Sequence, residues 1–323
     1  MFLEDIGFSL WADFIERDFL ESGFRELISK NIVNGATSNP AIFKEAILNS
    51  PAYKEQLSKL TGTPKKKYEA LAVTDIKRAC EILLPLYEKG DEGFASLEVD
   101  PRLCNDAKGT VEEALRLHKA VDMPNLMIKV PATEAGYEAM EELIGRGINV
   151  NATLIFSPSQ AKGCLDAFKR GFQKDGSPKA VLSIFVSRFD RKLDKMLPDG
   201  LQGRVGIMNA AKIYNLINSY NLPNAKALFA STGVKGDEYP PHYYISELLA
   251  PNSVNTAPIK TIEAFVEHGD KEPKLPIPDE KIATFFNEIA DNGIDMQKVY
   301  DELLEEGLEA FVKAFDEILK ELS

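Results

Sequence analysis

The chain has 323 residues, 44% of them hydrophobic, with 50 acidic against 38 basic side chains and a formal net charge of -12. That length and hydrophobic content suffice for a large buried core, and the acidic balance argues against nucleic acid or an anionic membrane surface as the main partner. No apolar run approaches the roughly 18 residues of a membrane span; the start MFLEDIGFSLWADF lacks a basic region and a small-residue cleavage site; and Cys80, Cys104 and Cys164 are odd in number and widely spaced, so a soluble cytoplasmic protein with reduced thiols is expected.

Eight β-type segments follow one another along the chain. They are SLWAD (9–13), IVNGATSN (32–39), FASLEVD (94–100), NLMIKVPA (125–132), INVNATLIF (148–156), AVLSIFVSR (180–188), AKALFAST (225–232) and SVNTAP (253–258). Helical patterns lie between them. Asn39 and Pro40 read as an N-cap and first helical residue before AIFKEAIL, and Thr110 with Glu113 reads as a capping box before EEALRLHKAV. Alternating strand and helix predicts a parallel sheet with right-handed crossovers, and eight repeats predict closure into one (β/α)8 barrel spanning residues 1–323; an open doubly wound sheet is the competing architecture. After the eighth strand, DKEPKLPIPDE (270–280) reads as a Pro-rich loop leading to C-terminal helices. Val299, Leu303, Leu304, Leu308, Phe311, Val312, Phe315 and Leu319 then repeat at helical spacing and predict a terminal helix packed on the barrel's outside.

Lys129 stands out against this background. It lies inside NLMIKVPAT, and a strand covered on both faces has no solvated side for an ammonium; burying that charge unpaired costs several kcal/mol. The simplest relief is loss of the proton, and a neutral buried lysine is a nucleophile suited to a Schiff base with a carbonyl. The alternative is an edge strand whose lysine snorkels into water.

In a barrel the active site lies at the C-terminal strand ends, so the polar residues closing each segment become the test. Asp13 ends the first, Asn39 the second, Glu98 lies in the third, Lys129 in the fourth, Asn151 and Thr153 in the fifth, Ser183 and Arg188 in the sixth, and Ser231 ends the seventh. Singly, Asp13 reads as a turn residue, Asn39 as a cap, Glu98 as a salt-bridge partner and Arg188 as half of a surface ion pair with Asp190. Together they put carboxylates, an amine, amides and hydroxyls at one predicted mouth. There is no GxGxxG after a strand, no GxxxxGK[ST] and no GxSxG, and His118, His242 and His268 are too scattered for a metal site, so neither a metal nor a nucleotide cofactor is expected.

The stretches GATSNPAIFKEA (35–46), MIKVPATEAG (127–136), GINVNATLIFS (147–157) and SIFVSRFD (183–190) resemble the transaldolase family, with similarity running from about Ser9 to Pro258. The resemblance implies a class I aldolase-type barrel without metal or cofactor, transferring a dihydroxyacetone unit from sedoheptulose 7-phosphate to glyceraldehyde 3-phosphate in the pentose phosphate pathway. It further implies Lys129 as the Schiff-base lysine, Glu98 and Thr153 as handlers of the catalytic water, and Asp13 as the acid/base at the C4 hydroxyl. By the same resemblance Asn39 and Asn151 hold hydroxyls of the dihydroxyacetone moiety, Ser183 binds substrate and Arg188 binds phosphate. Many members place an arginine shortly after the serine ending the seventh strand; ASTGVKGDEY (230–239) has none, which leaves Ser231 and Lys235 for the second half of a phosphate site, or Lys235 as a plain loop charge. The related fructose 6-phosphate aldolases carry tyrosine in the position of Phe185 and lack the Glu98-type carboxylate. Phe185 and Glu98 therefore favour transfer over release, and Lys129, Glu98 and Asp13 together count against a non-catalytic sugar-phosphate binding barrel. The implied partners are sugar phosphates; a homodimer is left open.

Overall fold

All eight β-type segments form strands in the computed structural model, which describes residues Met1–Ser323. They are β1 (Ser9–Ala12), β2 (Gly35–Thr37), β3 (Phe94–Glu98), β4 (Leu126–Pro131), β5 (Asn149–Ile155), β6 (Ala180–Phe185), β7 (Ala225–Ala230) and β8 (Ser253–Ala257). Every neighbouring pair is parallel, and β8 returns to β1 to close the barrel in sequence order. The open sheet is thereby excluded. Nearly every strand residue is buried, as expected for strands lined by side chains within and covered by helices without.

Register decides which side chains meet inside. Glu98 pairs with Lys129, Lys129 with Asn151, and Trp11 with Thr256 across the closing seam. Because side chains alternate between faces, these residues and those two positions away along each strand share the interior. Trp11 is wholly buried there, and Gly35 makes room for it: a Cβ at Gly35 would stand 2.6 Å from three ring atoms.

Local signals set the helix starts that aim the strand ends. Asn39 accepts from Ile42 N with Pro40 at the first turn, as expected, and Ser157 with Gln160 forms a full capping box after β5. The expected Thr110–Glu113 capping box is not formed. That helix, Ala107–Val121, starts a turn earlier, capped by Asp106, whose carboxylate accepts from Gly109 N. Thr110 instead donates to the Leu103 carbonyl, and Glu113 accepts from Asp100 N and Lys65, a tertiary charge network that outcompetes the local cap.

Residues 269–278 form the Pro-rich loop, with Asp279 already opening the helix Asp279–Asp291. The terminal helix Met296–Glu321 packs outside the strands along the C-terminal rim. Tyr300 donates to Asn209 and Lys192 pairs with Glu302 and Glu306 near its start; Phe315 packs on Tyr68, and Glu317 pairs with Lys44 near its end. At its middle, Gly307 lets the helix approach Leu154, Phe156 and the Arg188 guanidinium, which a Cβ there would meet at 3.1–3.4 Å. No helix is long and apolar enough to cross a membrane.

Candidate active site

Lys129 projects from β4 into the barrel and is 4% exposed. Its amine donates to the Ser38 carbonyl at 3.0 Å and lies 4.0 Å from a Glu98 carboxylate oxygen. The edge-strand alternative fails, because β4 is paired on both sides and its lysine is enclosed. Compensation for the amine comes from the Ser38 carbonyl, from Glu98 on the adjacent β3 and from Asp13 at the end of β1.

Glu98 is nearly as enclosed, and neither of its carboxylate oxygens has a hydrogen-bond partner within the protein. Loss of water pushes its pKa up to about 8, against the pull of Lys129 and with the help of the Asp13 charge. Asp13 follows β1 at the mouth, half-buried. Burial raises its pKa as well, while the Lys129 charge and a hydrogen bond from Thr37 at 2.7 Å hold it down. Two carboxyl groups of raised proton affinity thus face one amine.

Thr153 lies on β5 beside Pro131 of β4, next to an irregularity: the β5–β6 register slips between Ala152 and Ile155, and Leu154 takes φ +56°. Its hydroxyl is buried and has no partner within the protein, as with Glu98. Asn151 is fully buried; its oxygen accepts from Ser183 at 2.7 Å and its nitrogen donates to Ser96 at 3.0 Å. Asn39, half-buried, spends its oxygen on the helix cap, leaving its NH2 to other partners.

A second group forms where β6 and β7 end. Arg188, in the short helix Ser187–Leu193, lies over the Phe185 ring at 5.3 Å and the Phe156 ring at 5.9 Å. Burial lowers its pKa, and no carboxylate comes within ion-pair distance. The surface pair with Asp190 does not exist. Asp190 points inward, accepting from Gly206 N at 3.0 Å and the Tyr244 hydroxyl at 2.9 Å. Ser231 adopts φ +55°, an uncommon conformation for a residue with a side chain, and its hydroxyl is 3.0 Å from that of Ser187. Lys235 lies further out, exposed, lining a cavity of about 480 Å³ with Ser187, Arg191 and Tyr239.

Lys129, Glu98, Asp13, Thr153, Asn151 and Ser183 therefore come together inside the mouth, with Phe185 and Arg188 forming one edge and Ser231 beyond it. Lys235 stands apart from the amine. Thr37, Thr256, Ser96 and the Ser38 carbonyl were not singled out from sequence, since what ties them to the site is cross-strand register. The thiols of Cys80, Cys104 and Cys164 are all pushed up by burial, which leaves none as a ready nucleophile. No three His, Cys, Asp or Glu side chains are grouped as metal ligands.

Comparison with known proteins identifies the family. A sequence model of the Transaldolase/Fructose-6-phosphate aldolase family matches residues 10–322. A transaldolase of Campylobacter jejuni subsp. jejuni serotype O:23/36 (strain 81-176) is 50% identical over 329 aligned positions, covering 98% of this chain and 99% of that protein. A transaldolase of Helicobacter pylori (strain Shi470) is 45% identical over 314 positions, covering 97% and 98% of the two chains.

Proposed function

The chain belongs to the transaldolase/fructose-6-phosphate aldolase family, and we propose for it the transaldolase reaction: a dihydroxyacetone unit passes from sedoheptulose 7-phosphate to glyceraldehyde 3-phosphate, giving erythrose 4-phosphate and fructose 6-phosphate. The observation that carries this reading is the enclosed Lys129 amine faced by Glu98 from the adjacent β3 and by Asp13 from the end of β1.

Lys129 Nζ attacks the ketose C2, and loss of water leaves an iminium that serves as the electron sink. Glu98, with a pKa of about 8, both gives and takes protons near neutral pH, as that dehydration and the final hydrolysis require. Its partnerless oxygens and the Thr153 hydroxyl are suited to holding the water involved. Asp13 takes the C4 hydroxyl proton as the C3–C4 bond breaks; the bonding electrons pass into the iminium to give an enamine, and the aldehyde departs. On the return path the enamine attacks the second aldehyde and Asp13 gives the proton back to the new hydroxyl.

Asn39, Asn151 and Ser183 hold the hydroxyls of the dihydroxyacetone moiety, which keeps the intermediate bound between the two aldehydes. Arg188, free of carboxylate partners and braced on two aromatic rings, binds the phosphate. Ser231 and Lys235 supply the outer half of that phosphate site. Phe185 presents an apolar ring with no proton donor, which favours transfer over release of dihydroxyacetone. We further propose a cytoplasmic location; the homodimer left open by the sequence is decided by light scattering, which reads the mass in solution.

A coupled assay tests the reaction. With fructose 6-phosphate as donor, product should form only when erythrose 4-phosphate is added. Free dihydroxyacetone at a comparable rate without the acceptor would make the protein a lyase instead.

A further inference from the structure

Thr37 Oγ1 lies 2.7 Å from Asp13 Oδ1 and 2.6 Å from Thr256 Oγ1, and the Thr256 hydroxyl in turn lies 3.3 Å from the Trp11 carbonyl. Thr37 and Thr256 are 1% and 3% exposed, so solvent is not their partner. Strands β1, β2 and β8 bring these groups together across the closing seam of the barrel.

Proton counting gives the chain a direction. A hydroxyl has one proton to donate, and an ionised carboxylate only accepts. With Asp13 ionised, Thr37 donates to Asp13, so the short contact between the two threonines is a donation from Thr256 to Thr37. With Asp13 protonated, its own hydroxyl can donate to Thr37, Thr37 to Thr256, and Thr256 to the Trp11 carbonyl. Each charge state of Asp13 therefore meets a matching set of hydrogen bonds, and once Asp13 has gained or lost its proton, turning the two threonine hydroxyls passes from one set to the other. No heavy atom has to move.

We propose that Thr37 and Thr256 form a reversible hydroxyl relay that orients Asp13 and matches its hydrogen bonding to both of its charge states. The proposal rests on the reading of Asp13 as the acid/base of the reaction. Such a group must be held while ionised, before it accepts the C4 proton, and while protonated, until it returns that proton. The charged groups facing Asp13 are Lys129 from β4 and Glu98 from β3. Both are common to the parent and to threonine variants, so a change on removing a threonine hydroxyl reports the relay. Neither threonine touches the reacting atoms; both are positioning residues.

The test removes hydroxyls while keeping shape, and reads transfer from fructose 6-phosphate to erythrose 4-phosphate between pH 5 and 9. Thr37→Val deprives ionised Asp13 of its donor and should move the acidic limb of kcat upward by about one pH unit, the size expected for a hydrogen bond to a charged group. Thr256→Val leaves that donor in place but strands the relay, and should lower kcat about three- to tenfold with KM for both sugars unchanged. Thr256→Ser should restore the parental profile. Asp13→Asn separates the two levels of the reading. If it is inactive while both valine variants keep the parental kcat and acidic limb, the relay is wrong and the acid/base assignment stands; if it turns over at the parental rate, the assignment itself falls. A loss in Thr256→Val that Thr256→Ser fails to restore would be a packing effect and would also overturn the relay. Should Thr37→Val fail to fold, the Thr256 pair carries the test alone.

Discussion

Replacing Glu98 by Gln should leave the protein's stability almost unchanged at pH 4.5 and make it progressively more stable than the parent at higher pH. In the folded protein the Glu98 pKa stands at about 8 against an ordinary 4.5, because burial disfavours the carboxylate more than Lys129 favours it. An acid with a raised folded pKa keeps its proton in the native state after the unfolded chain has released it. Its contribution is thus fully present below pH 4.5 and is lost as pH rises through 8. Between those limits stability falls by about 1.4 kcal/mol per pH unit from this group alone, a total of at most about 4–5 kcal/mol, which water entering the mouth on ionisation lowers. Glutamine resembles the protonated acid in size and charge and has no such slope. Asp190, pushed up to about 7, adds a slope of the same sign, but parent and variant share it and it cancels in the difference; Asp13, also raised by burial, repels the Glu98 charge, and loss of that repulsion in the variant is part of the difference measured. Urea unfolding of both proteins at unit intervals from pH 5 to 9 measures that difference. Two curves separated by a constant amount across the range would refute the reasoning, since Glu98 would then ionise as an ordinary solvated carboxylate. The same variant should lose transfer activity, because an amide neither gives nor takes the proton.

Arg188→Ala should raise KM for fructose 6-phosphate about 10- to 100-fold with a smaller effect on kcat, the cost of a lost charge-assisted contact made in ground and transition states alike. Steady-state kinetics with unphosphorylated dihydroxyacetone donors is the control, and equal impairment there would count against a phosphate role. Phe185→Tyr should increase acceptor-independent release of dihydroxyacetone relative to transfer, because a phenol on the interior face of β6 can orient water at the intermediate; an unchanged ratio would mean that the ring does not face it. Gly35→Ala should destabilise the fold by about 1–3 kcal/mol, since the added methyl collides with an enclosed tryptophan that has nowhere to move. A chemical melt with an unchanged midpoint would show that Trp11 is not locked against β2.

Strand order and number were legible because each segment is a short β-branched or apolar run punctuated by Gly, Pro, Asn or Asp, and such runs have few alternatives. Boundaries were less so. IVNGATSN promised eight residues, but only Gly35–Thr37 pair as a strand, Asn34 being drawn to Ser9 and Asp91 and Asn39 to the helix cap. Thr110 and Glu113 had capping-box spacing, yet Asp106 wins the helix start because Glu113 is claimed by Lys65 and Asp100 from elsewhere in the chain. Arg188 and Asp190 looked like an ion pair for a similar reason. On a helix, residues two apart point in different directions, one here to the mouth and the other to Gly206 and Tyr244. Lys129 announced itself because an ammonium in an apolar strand demands compensation. Glu98 and Asp13 could be placed at the same mouth from their strand-end positions, their roles came only from motif resemblance, and Thr37 and Thr256 were not singled out at all: 219 residues separate two hydroxyls that the barrel seam brings to 2.6 Å.

Borohydride reduction in the presence of fructose 6-phosphate, followed by peptide mass mapping, tests the proposed mechanism most directly. Reduction of an iminium at Lys129 should add one dihydroxyacetone- or hexose-phosphate-derived group to the peptide containing MIKVPAT, and Lys129→Met should show no adduct while remaining folded. An adduct on any other lysine, or full turnover by Lys129→Met, would contradict the account.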